Sequence, residues 1–196
     1  MIVCASVRAT DDPWTPPARD GGDAGALVYV SLGSLGSTDV PLMRRLVDVL
    51  ARTPHRYVVS KGPQHTEYEL ADNMTGAEFL PQTSVLPHVD AVITHGGNNT
   101  TTECMWFGKP MLVLPVFWDQ HDNAQRVHEM GYGMRLPTYA FDEEELAVAV
   151  DRLLGDEAVR RRVAAAGERL RRRPGTVTAA DLIERVAVGG EPIFRA

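Results

Sequence analysis

The chain has 196 residues, 44% of them hydrophobic, and a formal net charge of −6. This length and apolar content predict one sizeable folded domain and exclude a disordered chain. The negative charge argues against non-specific nucleic-acid binding, and no apolar run reaches the roughly 20 residues of a membrane span. Because two cysteines cannot build a disulfide framework, we expect a protein of the cytoplasm.

The N-terminal segment, residues 1 to about 25, is rich in proline, aspartate, glycine and arginine. It shows neither a helical nor a strand period, which is typical of connecting segments. We therefore predict that residues 1–25 form an interdomain linker or a flexible N-terminal segment, with Trp14 as its candidate anchor.

From Ala26 onward, short apolar runs alternate with amphipathic stretches. The apolar runs predict four strands, at Leu27–Leu32, Arg56–Ser60, Ala91–Thr94 and Met111–Val116. The amphipathic stretches predict helices after Pro41, at Asn98–Phe107, from about Asp122 to Met130, and three times from Asp142 onward. Asp39 or Thr38 is suited to cap the first helix, whose buried face would comprise Leu42, Leu46, Val49 and Leu50.

This alternation predicts an α/β fold with a Rossmann-like doubly wound parallel sheet over residues 26–188, followed by a tail at 189–196. In such sheets, ligands bind beyond the carboxyl ends of the strands. Three loops at those ends carry residues suited to a ligand.

The first of these loops is Ser31–Ser37, with the sequence SLGSLGS. Its glycines allow the backbone to turn and to approach a ligand closely, and Ser34 offers a hydroxyl and a backbone donor. Two interpretations stay open, a phosphate-contacting turn and an ordinary loop between a strand and a helix.

The second loop is Thr94–Glu103, with the sequence THGGNNTTTE. A strand runs through two glycines into a helix, whose first-turn N–H groups and dipole favour an anion. His95 and Thr100 can add donors to a diphosphate. Glu103, one turn beyond Thr100, can accept hydrogen bonds from vicinal hydroxyls such as those of a ribose. The loop therefore predicts a nucleotide site.

The third loop follows the strand at Met111–Val116 and contains Asp119 and Gln120. Adjacent carboxylate and amide groups suit the recognition of sugar hydroxyls, although the same pair also occurs in solvated loops.

Other chemistries lack the residues that they need. The loops have no GxGxxG spacing, so a dinucleotide site is not predicted. The HGGN sequence has no GxSxG nucleophile to accompany it, which argues against an esterase. The histidines lack the spacing and partners of a zinc site, so no metal is predicted.

The stretch Phe79–Gln125 resembles the nucleotide-sugar motif of family 1 glycosyltransferases, which include plant UDP-glucosyltransferases and bacterial macrolide glycosyltransferases. The spacing from His95 through Glu103 to Asp119 and Gln120 matches the plant-type motif without a gap. With the SLGS loop upstream and the helices downstream, the resemblance covers about Leu27 to Val188. It implies the C-terminal half of a GT-B fold, in which two Rossmann-like domains face a cleft.

The resemblance also implies roles for individual residues. Phe79 stands where the family has a tryptophan that stacks on the nucleobase, and Gln82 lies beside that base. Glu103 would hold the ribose hydroxyls. The residues expected at the diphosphate are Ser34, His95, Asn99 and Thr100. Gly97 and Asn98 belong to the same nucleotide-sugar site, and Asn98 replaces the family's frequent tryptophan or alanine. Asp119 and Gln120 would hold the sugar hydroxyls and favour a hydroxyl-rich hexose such as glucose.

The activity that the resemblance implies is inverting transfer of a hexose from a UDP- or TDP-sugar to a hydroxyl of a small-molecule acceptor, such as a natural product. No metal cofactor is expected, because the helix N-terminus and His95 would balance the diphosphate charge. The acceptor site and the catalytic base belong to an N-terminal acceptor-binding domain, so we expect this chain alone to bind donor without transferring sugar. Two alternatives stay open: a stand-alone nucleotide-sugar-binding subunit, and another GT-B enzyme such as a sugar-nucleotide epimerase.

Overall fold

A computed structural model describes residues 7–8, 12–18, 25–173 and 175–189. Within these ranges one six-stranded sheet has the order β3-β2-β1-β4-β5-β6, and every neighbouring pair is parallel. The strands are β1 Leu27–Ser31, β2 Arg56–Ser60, β3 Met74–Ala77, β4 Ala91–Thr94, β5 Met111–Val113 and β6 Gly133–Arg135. The predicted α/β class with a doubly wound parallel sheet is confirmed.

Eight helices accompany the strands in the described part of the chain. They are α1 Gly33–Gly36, α2 Val40–Leu50, α3 Gln82–Val85, α4 Asn98–Trp106, α5 Gln120–Glu129, α6 Glu143–Gly155, α7 Glu157–Arg171 and α8 Gly175–Gly189. A 3-10 turn at Leu86–His88 follows α3. None of the described helices is both long enough and apolar enough to cross a membrane.

The sheet has a hydrophobic core on each face because alternate strand residues point to opposite sides. Val28 and Val30 of β1 pack with the apolar faces of α2 and α6. Leu27 and Tyr29 of the same strand pack with residues of α3, α4 and α5. The predicted apolar face of α2 is buried.

The position at which the sheet reverses its order lies between β1 and β4. The chain leaves β1 toward α2 on one face, and it leaves β4 toward α4 on the opposite face. Ser31 is in register with Thr94, so the loops that follow these two strands lie side by side. Such a switch point opens a crevice beyond the strand ends.

Several predicted boundaries were wrong. The strand predicted to continue to Leu32 ends at Ser31, because the chain turns directly into α1. The strand predicted to reach Val116 ends at Val113, and the backbone N–H of Val116 donates to the Gln120 side chain instead of to a strand. Helix α5 begins at Gln120 rather than near Asp122.

Two strands were not predicted. β3 and β6 are short segments at the two edges of the sheet, and each contains a glycine. Of the two candidate caps for α2, the structure uses Asp39, whose Oδ1 accepts a hydrogen bond of 3.1 Å from the N–H of Leu42.

The predicted N-terminal linker lies only partly among the described residues. Those that are described follow the α3 side of the domain: Ser84 Oγ donates to the Asp12 carbonyl over 2.7 Å. Trp14 packs against the core on that face, with its ring centroid 5.8 Å from that of His88. Trp14 is therefore an anchor of this segment. Of the predicted tail, only Gly189 is described, as the last residue of α8.

Candidate functional site

A cavity of about 490 Å³ lies beyond the carboxyl ends of the central strands. This volume is in the range of small-molecule sites. Among the eleven residues predicted from the sequence, those that line it are Ser34, Phe79, Gln82, His95, Gly97, Asn98, Asn99, Thr100 and Asp119. Glu103 lies behind Gln82 and Thr100, and Gln120 lies behind the loop that carries Asp119. The cavity thus brings residues from distant loops together.

His95 occupies a slot between two glycines. A Cβ atom on Gly33 would lie 2.8 Å from the imidazole Cε1, and one on Gly97 would lie 2.4 Å from Nε2. Gly33 also has a positive φ of 71°, which other residues adopt only with strain. The two glycines therefore allow the backbone to pass on both sides of the ring.

Burial sets the charge of His95. Desolvation lowers the pKa of the ring, and a hydrogen bond with the backbone of Ser31 and the charge of Asp119 oppose this only in part. Because the ordinary value is about 6.5, the ring is neutral at pH 7. A neutral imidazole has one N–H donor, which can serve an anion without a fixed charge on the ring.

The N-terminus of α4 faces the same cavity. No side chain caps it, since the N-cap residue is Gly97, and the first-turn residues Asn98, Asn99 and Thr100 line the cavity. Backbone N–H groups of a first turn have no partner within the helix and lie at the positive end of its dipole. Asn123 holds this turn, because its Nδ2 donates to the Gly96 carbonyl over 2.8 Å.

Glu103 is a buried carboxylate with its partners in place. Its side chain is 1% exposed, and Gln82 Nε2 donates to its Oε2. Arg8 donates to both of its oxygens, from Nε to Oε1 over 2.8 Å and from Nη2 to Oε2 over 3.2 Å. Sequence reasoning missed Arg8, since nothing in the sequence connects it with a residue 95 positions away.

The loop between β5 and α5 is held in shape by Gln120. Its Oε1 accepts hydrogen bonds from the backbone N–H groups of Val116 and Phe117, over 2.9 and 3.1 Å, and the residue is 4% exposed. The loop places Asp119 on the cavity wall and turns Trp118 outward, 78% exposed and with a positive φ of 54°. In this structure Gln120 shapes the loop, and Asp119 alone of the pair faces the cavity.

Hydroxyl groups on one face of β1 and β2 line the floor of the cavity. Tyr29 hydrogen-bonds with Ser31 and Ser60, and burial raises the pKa of its phenol to about 12. Tyr29 is therefore an uncharged donor and acceptor at neutral pH. The sequence offered a signal for this floor, because Tyr29 and Ser31 alternate along a strand and must share a face.

The sequence of the chain is similar to a known protein family and to individual members of it. The family model described as "Erythromycin biosynthesis protein CIII-like, C-terminal domain" matches residues 44–184. Demethyllactenocin mycarosyltransferase of Streptomyces fradiae is 28% identical over 92% of this chain and 39% of the relative. Oleandomycin glycosyltransferase of Streptomyces antibioticus is 30% identical over 93% of this chain and 42% of the relative.

Solved structures show the same similarity. The crystal structure of the glycotransferase of kitacinnamycin superposes with a TM-score of 0.81 and 33% identity, covering 93% of this chain and 47% of that one. The chain thus spans less than half the length of the curated relatives and of the solved protein that it matches.

Proposed function

Because the chain belongs to the erythromycin biosynthesis protein CIII-like C-terminal domains of GT-B family 1 glycosyltransferases, we propose that its cavity binds the nucleoside diphosphate of a UDP- or TDP-hexose donor. The observation that carries this proposal is an uncapped helix N-terminus and a neutral histidine on the wall of one cavity, with the buried carboxylate of Glu103 directly behind Gln82 of that wall. The first two suit a diphosphate, and the third suits the hydroxyls of the adjoining pentose.

The chemistry of each wall supports an assignment within the donor. Phe79, 56% exposed at the cavity, offers a ring face for a nucleobase. The first turn of α4, His95 and Ser34 offer donors for the diphosphate. Asp119 is the acceptor for hydroxyls of the hexose, and Gln120 contributes by holding the loop that carries Asp119.

In the proposed reaction an acceptor oxygen attacks the anomeric carbon while the bond from that carbon to the diphosphate oxygen breaks. Negative charge then grows on the departing diphosphate. Fixed donors that point to such a charge stabilise the transition state. The N–H groups of α4 and the neutral N–H of His95 take this role, and we propose that they do so without a metal ion.

The acceptor is proposed to be a small-molecule natural product, which the names of the two Streptomyces relatives support. Among the described residues that line the cavity, His95 is the one histidine, and we assign it to the diphosphate. We therefore propose that the acceptor site and the base are supplied by an N-terminal domain.

Calorimetry with UDP, TDP and UDP-glucose tests the donor site. We expect saturable binding of at least one of the diphosphates by the chain, and Glu103→Ala to weaken it by about tenfold or more, because a hydrogen bond to a charged group is lost. Glu143→Ala is the matched control, since it removes an exposed carboxylate paired with Arg52 on the far side of the fold. If no diphosphate binds, or if both variants bind like the unaltered chain, the proposal fails.

A further inference from the structure

Arg8 separates the buried carboxylate of Glu103 from the cavity. Its guanidinium donates to both carboxylate oxygens, over 2.8 and 3.2 Å, and the Glu103 side chain is 1% exposed. Arg8 also lines the cavity, and its own side chain is 61% exposed. A ligand in the cavity therefore meets Arg8 before it meets Glu103, and the carboxylate is closed to that ligand while the ion pair lasts.

The arginine belongs to an N-terminal strap, which we define as the described residues 7–8 and 12–18. The strap is also fastened to the domain outside the cavity. Ser84 Oγ donates to the carbonyl of Asp12 over 2.7 Å, and the Trp14 ring packs against the core on the α3 side. Because these contacts tether the strap, the guanidinium has a high effective concentration at its carboxylate partner.

We propose that this strap is autoinhibitory: its arginine competes with the nucleotide, whose pentose reaches Glu103 only when Arg8 has left. This inference rests on the proposed function, in which Glu103 accepts hydrogen bonds from the pentose. Nucleotide must then loosen the strap by the same factor by which the strap weakens nucleotide binding, because the two effects are linked. A contact that draws the strap away from the domain therefore raises the affinity of the donor site.

The strength of the ion pair suits a competitor that nucleotide can still displace. A bidentate, charge-assisted pair with a buried carboxylate is stronger than a hydrogen bond between neutral groups. The guanidinium is nevertheless largely exposed, so water takes over its donors when it leaves. Two pentose hydroxyls then supply the donors that the carboxylate loses. Arg8 thus offsets a part, and not all, of what the hydroxyls contribute at Glu103.

The direction of the effect distinguishes this role from simple attraction of the diphosphate. If Arg8 acted as a binding cation, its removal would weaken the binding of an anion. If it competes for Glu103, its removal strengthens binding, because the pentose hydroxyls no longer have to displace it.

Calorimetric titration of the whole chain with UDP and TDP measures this direction. We expect Arg8→Ala to bind nucleotide about tenfold more tightly than the unaltered chain, since an ionic competitor is lost. Arg8→Gln should change the Kd in the same direction and serves if the alanine variant does not fold. Trp14→Ala, at a residue outside the cavity, should also tighten binding because it loosens the tether. Arg52→Ala, which breaks an exposed ion pair elsewhere, should leave the Kd unchanged.

The Nε–H group of Arg8 reports the position of the strap directly. Its signal in a proton–nitrogen correlation spectrum is assigned by its loss in Arg8→Gln. In the free chain we expect a shift that reflects the charge-assisted hydrogen bond to Glu103. Saturating nucleotide should move the signal to the position of an arginine in water.

Equal or weaker nucleotide binding by both Arg8 variants, or an Nε–H signal that nucleotide leaves in place, overturns the autoinhibitory role while the proposed function stands. Equal binding by Trp14→Ala and the unaltered chain overturns the role of the tether. Failure of the unaltered chain and of both Arg8 variants to bind either diphosphate overturns the proposed function, and the competition with it.

Discussion

His95 shows how a side chain acquires its properties from its neighbours. The two glycines beside it leave room for the ring, and the ring in turn lies where it loses contact with water. A Cβ atom on either glycine would lie less than 3 Å from the imidazole, so the ring or the backbone would have to shift. The glycine backbone therefore allows His95 to occupy a buried position, and burial at that position favours the neutral ring.

Titration of His95 tests whether this residue lies beside the diphosphate of a bound nucleotide. Its pKa in the free chain should lie below 6.5, because desolvation disfavours the imidazolium. UDP or TDP should raise this pKa, since a nearby anion favours the charged ring. The measurement is the Cε1 proton shift as a function of pH, assigned by its loss in His95→Gln. A pKa that is unchanged or lower with nucleotide bound would contradict a place beside the diphosphate.

The lowered pKa of His95 also makes the stability of the fold depend on pH. A folded-state pKa below that of the unfolded chain means that the unfolded chain takes up the proton first as the pH falls. The contribution of His95 to stability is therefore fully present above about pH 6.5 and declines below it.

Sequence and structure agree best where a residue is part of a local pattern. His95, Thr100 and Glu103 could be placed together because one strand end and one helix turn fix their spacing. Arg8 could not, since its position depends on how a segment without periodic structure follows the domain surface. Gln120 was predicted to hold sugar hydroxyls. In the tertiary structure its amide oxygen accepts hydrogen bonds from the backbone of its own loop.

At the scale of the element, the cap of α2 should carry measurable stability. Asp39 Oδ1 accepts from the Leu42 N–H, and Oδ2 accepts from the Tyr139 hydroxyl over 3.0 Å. Removing an N-cap acceptor leaves a helix N–H without a partner, so Asp39→Ala should lower the free energy of unfolding by about 1 kcal/mol. Urea denaturation measures it. Asp48→Ala, at an exposed position of the same helix, is the control, and equal stability of the two variants would contradict the cap.

The edge strands show why some elements could not be predicted. β1, β2 and β4 each contain three or four consecutive apolar residues, because both faces of these strands are buried. β3 has one buried residue in four, and β6 one in three. These segments are strands because a neighbouring strand offers them hydrogen bonds, which their own composition does not indicate.

At the scale of the whole molecule, the described residues form one α/β sheet domain, for which we propose donor binding alone. A positioned general base contributes about 10²–10⁴-fold to a rate, and holding two reactants in place contributes more. In the proposed function both come from a domain beyond the described fold. We therefore expect the chain to bind nucleotide and yet form no glycoside.

A transfer assay checks this expectation. The chain, a TDP- or UDP-hexose and a macrolide acceptor are incubated, and glycoside is sought by mass spectrometry; nucleotide binding under the same conditions is the positive control. Product above the enzyme-free rate would show that the chain contains an acceptor site and a base of its own.

The parallel sheet also imposes an order on how the protein can be made. β1 pairs with β4, whose first residue follows about 60 positions later, a distance that a ribosome covers in roughly 3–12 s at about 5–20 residues per second. During that interval β1 lacks one of its two partner strands. Asp119 is translated later still. The cavity therefore closes only after most of the domain has left the ribosome, and nucleotide cannot assist the early steps of folding.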